Sequence, residues 1–229
     1  MTRIVIISDT HGLHLGLKRF GEMPKGDILI HAGDISEVGE FHDVARFLAW
    51  FNQQPYEYKI FIAGNHDFLF ETNRNVGQSL LKDYENRDIY YLEDSEIELL
   101  GLKFWGSPIT PPFMNWAFNR DKSKRLLHWS LIPDDTDILI THGPPHGVLD
   151  FSGYKSEHAG CEVLYDVVKN KVKPLVHIFG HIHSNYGHIK GENTLYINGS
   201  TLNERYHVTN RPIVIDVDKE NKTVNIVKI

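Results

Sequence analysis

Carboxylate, imidazole and amide side chains follow five short apolar runs of this chain. The five segments are Ile-Ser-Asp9-Thr-His11, His-Ala-Gly-Asp34, Ala-Gly-Asn65-His66-Asp67, Ile-Thr-His142-Gly and Phe-Gly-His181-Ile-His183. The runs that precede them are rich in β-branched residues, which is typical of buried strands. Ligands of open α/β sheets bind outside the carboxyl ends of the strands, so we expect these polar side chains to meet in one place.

Together these segments supply a complete set of metal donors. Carboxylates, imidazoles and one amide oxygen come from Asp9, His11, Asp34, Asn65, His142, His181 and His183. Nitrogen and oxygen donors without sulfur favour Mn, Fe or Zn and allow Mg, but they disfavour copper(I) and iron–sulfur clusters. This set is too large for one catalytic ion that keeps an open position. Two divalent ions that share one carboxylate fit better, and such pairs promote in-line displacement at phosphorus.

The elements that must position these donors alternate along the first half of the chain. Apolar residues at helical spacing predict a helix over about 41–53 between two predicted strands, a pattern typical of parallel strands with crossover helices. The predicted strands are about 3–9, 27–34, 58–67, 89–92, 97–100, 102–105, 138–141, 175–180, 194–198, 212–217 and 223–228, and the other predicted helices are about 74–86, 120–130 and 160–171. Gly101 marks a hairpin, and a second sheet is expected to begin near residue 89. No linker or repeat is recognisable, so we predict a single domain over 1–229.

Composition excludes several classes of function. The chain has 229 residues, 24 Lys and Arg against 30 Asp and Glu, and a formal net charge of −6, so a polymeric nucleic acid is a poor partner. No apolar run is long enough for a membrane span or a signal peptide. Cys161 is the one cysteine, which fits a reducing compartment, and we expect a cytoplasmic protein. The oligomeric state stays open.

The ordered motifs resemble those of a known family. Asp9-X-His11, Gly33-Asp34, Gly64-Asn65-His66-Asp67, His142 and Gly180-His181-X-His183 are similar to the signature of the calcineurin-like metallophosphoesterases. The phrases Trp105-Gly-Ser-Pro, Ile132-Pro, Thr141-His-Gly-Pro-Pro and Gly160-Cys-Glu are similar to its small branch of metallophosphoesterase-domain-containing (MPPED) proteins. The resemblance implies an α/β fold, a four-layer αββα sandwich of two mixed sheets.

The resemblance also implies a role for each donor. Asp9, His11 and His183 would hold one ion, Asn65, His142 and His181 the other, and Asp34 would bridge the two. A metal-bridging hydroxide would attack phosphorus, and the catalytic residues would be Asn65 and the neighbouring His66, which acts as the general acid. Asp67 would either orient His66 or stabilise the N-terminus of a helix.

We expect the substrates to be small phosphodiesters such as cyclic nucleotides. Within residues 106–120, a loop rich in proline and aromatic residues, Phe113, Trp116 and Phe118 are candidates, with Trp105, to stack on a base or to close the edge of the sandwich. A phosphomonoesterase or protein phosphatase is an alternative, although Ile35 stands where protein phosphatases carry an arginine. A sensor that binds metal or nucleotide without hydrolysis is a second alternative. Two strand histidines, His31 and His177, are expected to be hydrogen-bonded core side chains.

Overall fold

Two six-stranded sheets form the framework of the protein. The computed structural model describes residues 1–153 and 157–228. In chain order the strands are β1 (Thr2–Ile7), β2 (Ile28–Ala32), β3 (Tyr58–Ile62), β4 (Ile89–Tyr91), β5 (Ser95–Leu99), β6 (Leu102–Ser107), β7 (Ile138–Thr141), β8 (Phe151–Ser152), β9 (Glu157–His158), β10 (Val176–Phe179), β11 (Gly187–Lys190), β12 (Leu195–Asn198), β13 (Ile213–Asp218) and β14 (Thr223–Val227). The helices are α1 (Phe41–Asn52), α2 (Phe68–Thr72), α3 (Arg74–Lys82), α4 (Lys122–Ser130) and α5 (Glu162–Val167).

Both sheets are mixed, with parallel strands at their centres. The first has the order β14-β13-β1-β2-β3-β4, and β1 through β4 run parallel. The second has the order β11-β12-β10-β7-β6-β5, and β12, β10, β7 and β6 run parallel. The polar segments follow β1, β2 and β3 in one sheet and β7 and β10 in the other, so each sheet contributes donors from the carboxyl ends of its parallel strands.

Alternation along the strands separates two apolar layers. Ile4 and Ile6 of β1 belong to a buried cluster with Ile138 and Ile140 of β7, so one face of each sheet packs against the other sheet. The opposite faces pack on helices: Phe61 of β3 meets Phe47 of α1 with ring centroids 5.7 Å apart. In the second sheet Trp105 of β6 meets Trp129 of α4 at 6.3 Å. This is the expected four-layer αββα arrangement, and the predicted fold class is confirmed.

The second sheet begins later than predicted. The strand near residue 89 is β4, which pairs in parallel with β3 at the edge of the first sheet, because α3 makes the crossover that a parallel neighbour needs. The hairpin at Gly101 is confirmed and joins β5 to β6 at the edge of the second sheet. The chain then returns to the first sheet with β13, which pairs antiparallel with β1.

Several element boundaries also differ from the predictions. The strands predicted to end at residues 9, 34 and 67 end at Ile7, Ala32 and Ile62, because the donors lie on the loops beyond them. The helix predicted over 160–171 is α5, which continues as a π-helical turn over Val168–Val172. In residues 1–153 and 157–228 no helix has the length and hydropathy needed to cross a bilayer.

Candidate metal centre

The seven predicted donors lie together where the two sheets meet, and we call them the donor cluster. Asp9, His11 and His183 form one group whose donor atoms all lie within 4.8 Å of one another, and Asp34, His142 and His181 form a second such group. The Asp34 carboxylate belongs to the second group but also lies close to His11 of the first. Its Oδ2 is 3.6 Å from His11 Nε2 and 3.2 Å from His142 Nε2.

The spacing of the donor atoms fits divalent cations. His11 Nε2 and His183 Nε2 are 3.3 Å apart, and Asn65 Oδ1 is 2.9 Å from His142 Nε2. The cluster offers only imidazole nitrogens and carboxylate or amide oxygens, which suit Mn, Fe, Zn or Mg. His66, with His11 and Asp34, forms a third group of the same size, and His66 is its partly exposed member.

Neighbouring backbone groups orient the donors. His142 Nδ1 is 3.0 Å from the carbonyl oxygen of Ala32, and His183 Nδ1 is 3.1 Å from that of Asn203. A proton on each Nδ1 would be donated to these carbonyls and would leave the Nε2 lone pair facing the cluster, the arrangement that orients histidine ligands. The backbone NH of His181 donates to Asp9 Oδ1 at 2.8 Å.

The backbone adopts left-handed conformations at four donors. The φ angles are +50° at Asp9, +42° at His11, +55° at Asp34 and +67° at His181, in a region that non-glycine residues rarely adopt. Hydrogen bonds between loops compensate for this cost: the NH of Asp9 donates to the Gly33 carbonyl at 2.9 Å, and the NH of His11 to that of Asp34 at 3.0 Å. Strain of this kind concentrates at functional sites.

Two glycines beside the donors leave room for the carboxylates. A Cβ on Gly180 would lie 2.0 Å from Asp9 Oδ2, and a Cβ on Gly64 would lie 2.3 Å from Asp34 Oδ1. Because both atoms belong to buried, hydrogen-bonded side chains, neither could move aside. These glycines are therefore required by the donor cluster itself.

Burial and charge set the protonation of the cluster. Burial alone would raise the pKa of Asp9 and of Asp34, but the hydrogen bond and charge of His183 lower the first and the charge of His142 lowers the second. Burial lowers the pKa of His11 to about 4 and that of His181 to about 3. Although burial opposes it, the Asp34 carboxylate raises the pKa of His142 to about 9. Cation binding would therefore release a proton from His142.

Asp67 lies at the N-terminus of α2, where a helix position was one of its two expected roles, but its carboxylate makes no capping hydrogen bond there. Its Oδ1 accepts from the NH of Ser36 at 3.0 Å, and its Oδ2 accepts from the NH of Ile35 at 3.1 Å and of Gly64 at 2.8 Å. This buried carboxylate also joins the loop after β2 to the loop after β3, a role that the sequence did not suggest. Burial and the charge of Asp34 raise its pKa to about 6.

A cleft of about 490 Å³ opens beside the cluster. Its walls include Phe113, His158, Glu204 and Tyr206, and His181 and His183 also line it. The Tyr206 ring lies 5.0 Å from that of His11 and 5.2 Å from that of His183. His158 Nδ1 is 2.7 Å from Oδ1 of the buried Asp150.

The four aromatic residues named as candidates to stack on a base have two different environments. Trp105 and Phe118 are buried, with 2% and 0% of their surface exposed, so the expectation that they are candidates to stack on a base is wrong. Both pack in a buried core cluster. Phe113 lines the cleft, and Trp116 stacks on His66 instead of standing alone. The strand histidines behave as expected, because His31 bonds to Thr10 at 2.9 Å and His177 to Thr141 at 2.8 Å.

The sequence patterns used above did not identify Ser200 as a partner of the donor cluster. Its hydroxyl donates to Asp9 Oδ2 at 2.9 Å from a position two residues beyond β12. The rule that selected the other donors, a polar side chain at the carboxyl end of a parallel strand, applies to Ser200 equally well. The carbonyl of Asn203, which is bonded to His183, carries no such signal because any residue provides a carbonyl.

Comparisons with known proteins agree with this fold and site. A family model described as calcineurin-like phosphoesterase matches residues 2–185. Metallophosphoesterase domain-containing protein 1 of Homo sapiens is 41% identical over 235 residues, which cover 94% of this chain and 71% of that protein. A UPF0046 protein of Caenorhabditis elegans is 35% identical, and the match covers 95% of this chain and 76% of that protein.

Solved structures share the fold at low identity. One superposes with a TM-score of 0.72 at 16% identity, and the match covers 99% of this chain and 98% of the other. The protein TT1561 of Thermus thermophilus superposes with a TM-score of 0.65 at 12% identity and the same coverage. The family match defines the class, a metal-dependent phosphoesterase. This chain belongs to the calcineurin-like phosphoesterase family, and it is similar to the metallophosphoesterase domain-containing proteins over most of its length.

Proposed function

We propose that this protein hydrolyses small phosphodiesters with two divalent cations held by the donor cluster. Asp9, His11 and His183 would hold one cation, and Asn65, His142 and His181 the other. Asp34 would serve both, and its central position between His11 and His142 is the observation that carries the proposal. When bound, the cations would activate a water molecule and neutralise charge on the phosphoryl group.

His66 would act as the general acid. Its Nδ1 lies 2.5 Å from the carbonyl oxygen of Glu37, so a proton on Nδ1 would be donated there and Nε2 would be free to protonate the leaving oxygen. The His66 ring is 4.5 Å from the ring of His11, which places it beside the cluster. A protein that only senses metal or nucleotide would have no need of an acid in this position.

The charge of the cleft favours diesters over monoesters. The Glu204 carboxylate lines it. A phosphomonoester is a dianion near neutral pH, whereas a phosphodiester carries one negative charge, so this carboxylate would repel the monoester more strongly. Cyclic nucleotides belong to this substrate class, and manganese is the expected metal. Residues 1–229 would form one catalytic domain, located in the cytoplasm.

The test combines two substrates with variants that separate metal binding from acid catalysis. After chelation, added Mn²⁺ should restore hydrolysis of diphenyl phosphate and of bis(4-nitrophenyl) phosphate, with slower turnover of 4-nitrophenyl phosphate. Asp34→Asn should retain neither cation nor activity. His66→Ala should retain its cations but lose about 10²–10⁴-fold in kcat on diphenyl phosphate, the size expected for the loss of a general acid.

Metal content by elemental analysis and turnover are measured on the same samples. Asp83→Asn, an exposed aspartate beyond α3, is the matched control and should leave both unchanged. Full activity of His66→Ala would remove the acid assignment. Activity that persists without any divalent cation would defeat the proposed function as a whole.

A further inference from the structure

We propose that Trp116 is a positioning residue that holds the His66 imidazole in its working orientation. The inference rests on the proposed function, in which His66 is catalytic. The two rings are stacked, with centroids 4.0 Å apart and planes inclined by 25°. No role for an aromatic residue beside His66 follows from the donor cluster itself.

His66 needs such support because little else in residues 1–153 and 157–228 restrains its ring. One hydrogen bond, from Nδ1 to the Glu37 carbonyl, leaves the imidazole able to tilt about that contact. His11 meets the ring edge-on, with planes inclined by 88°, and restrains only one side. A large aromatic face stacked on the imidazole restricts this remaining motion, and general acid catalysis depends on such orientation.

The segment that carries Trp116 is attached to the segment that carries His66. The NH of Ala117 donates to the Asn65 carbonyl at 3.0 Å, and the NH of Phe118 donates to Glu71 Oε2 at 2.9 Å. Arg120 adds an ion pair with Glu71 at 2.6 Å. The stack therefore joins two chain segments whose backbones are already fixed relative to each other.

This arrangement argues against Trp116 as a platform for a substrate base. His66 covers the indole at stacking distance, and Phe68 contacts it with ring centroids 5.9 Å apart. A base that stacked on the covered face would have to displace His66. Support of His66 and capture of substrate also differ in their kinetic signatures, since the first acts on kcat and the second on KM.

The experiment measures Trp116→Ala and Trp116→Phe on diphenyl phosphate and on bis(4-nitrophenyl) phosphate, with Mn²⁺ bound. Phenolate is the poorer leaving group and depends more on the acid. Trp116→Ala should lower kcat about three- to tenfold on diphenyl phosphate, with KM nearly unchanged and a smaller loss on the nitrophenyl ester. Trp116→Phe should recover most of the loss because it keeps an aromatic face. The exposed neighbour Asn115→Ala is the matched control.

A double mutant identifies the route of the effect. If Trp116 acts through His66, adding Trp116→Ala to His66→Ala should cause no further loss in kcat. Additive losses, or a rise in KM alone, would overturn the inference and assign Trp116 to substrate contact. Equal losses on both esters would also overturn it. Cation content and melting temperature show whether each variant is folded, and Trp116→Phe serves if Trp116→Ala is not.

The failure of this inference differs from the failure of the proposed function. A parent enzyme without cation-dependent turnover removes the proposed function, whereas a fully active His66→Ala removes only the acid assignment and, with it, the role inferred for Trp116. A strongly impaired His66→Ala beside an unaffected Trp116→Ala removes only the role of Trp116.

Discussion

The donor cluster and the rim of the cleft beside it, formed by Phe113, His158 and Tyr206, are constructed in opposite ways. Asp9 and His142 are fully buried, and their polar atoms bond to backbone groups, to other donors or to the Ser200 hydroxyl. In contrast, Tyr206 is 47% exposed and the His158 side chain is 52% exposed. The donors lie on loops that directly follow strands of the two large sheets, whereas Phe113 and Tyr206 lie on other loops and His158 lies on β9, in the separate two-stranded sheet with β8. The arrangement of the donor atoms is therefore fixed by the fold, whereas residues that contact substrate at the rim can change with little effect on the donors.

Local hydrogen bonds nevertheless hold two of the rim residues in place. His158 is attached to Asp150, whose carboxylate also accepts from the NH groups of Gly147 at 2.9 Å and Gly160 at 3.0 Å. Tyr206 has a φ of +56°, and its NH bonds back to Asn203 at 2.9 Å in a tight turn. Both side chains are thus directed by local structure, without the cross-sheet support that the donor cluster has.

The largest effect is expected on the buried side, from Asp67→Asn. The amide has one accepting oxygen, so its NH2 group must face donors from Ile35 and Gly64 or from Ser36. Unsatisfied buried donors should lower the free energy of unfolding by about 1–3 kcal/mol, and the disturbed loops should weaken cation binding about 10- to 100-fold. Denaturant unfolding and Mn²⁺ titration measure the two effects. Unchanged values would show that the two loops do not need this carboxylate.

A second effect on the buried side is pH dependence of stability. Burial lowers the pKa of His177 to about 3, so the unfolded chain takes up a proton below pH 6.5 that the folded chain does not accept. This contribution is complete above pH 6.5 and is lost as the pH falls towards 3, by about 1.4 kcal/mol per pH unit. His177→Gln cannot titrate and should reduce that slope in denaturant unfolding between pH 6.5 and 5. His188→Gln, at an exposed position, should not, and equal slopes in both variants would contradict the assignment.

The smallest effect is expected at the rim. Tyr206→Phe removes the hydroxyl of a residue that lines the cleft and keeps the ring beside His11 and His183. We expect KM for bis(4-nitrophenyl) phosphate to change by about two- to fivefold, in keeping with the loss of one exposed hydrogen bond, with cation content unchanged. Steady-state kinetics and elemental analysis test this together. Loss of cations in Tyr206→Phe would break the contrast, because the rim would then help to hold the metal site.

Much of this arrangement could be predicted because strand ends carry a local signal. β-Branched runs followed by Asp9, Asp34 or His142 indicate both the strand and the edge of the sheet where the donors meet. The sequence could not predict that β4 belongs to the first sheet, because three residues over Ile89–Tyr91 do not specify their partner strand. Their place depends on the crossover by α3.

The contacts that orient the donors are harder to predict from the sequence than the donors themselves. The carbonyls of Ala32, Glu37 and Asn203 bond to histidine side chains, and a carbonyl is the same in every residue. The fate of the aromatic residues also depended on packing: Phe118 enters the core while Trp116, two residues away, stacks on His66. Composition marks such a loop as unusual, but only the fold decides which ring is covered.

The left-handed backbone at Asp9, His11, Asp34 and His181 has a consequence for how the protein matures. These residues come from both halves of the chain, and hydrogen bonds between separate loops hold their conformations. A nascent or partly folded chain therefore offers no ready-made cage, and cations can be captured only once both sheets have assembled. Ions that bind there would then act as a latch across the sandwich, and the thermal midpoint would rise with the concentration of free cation.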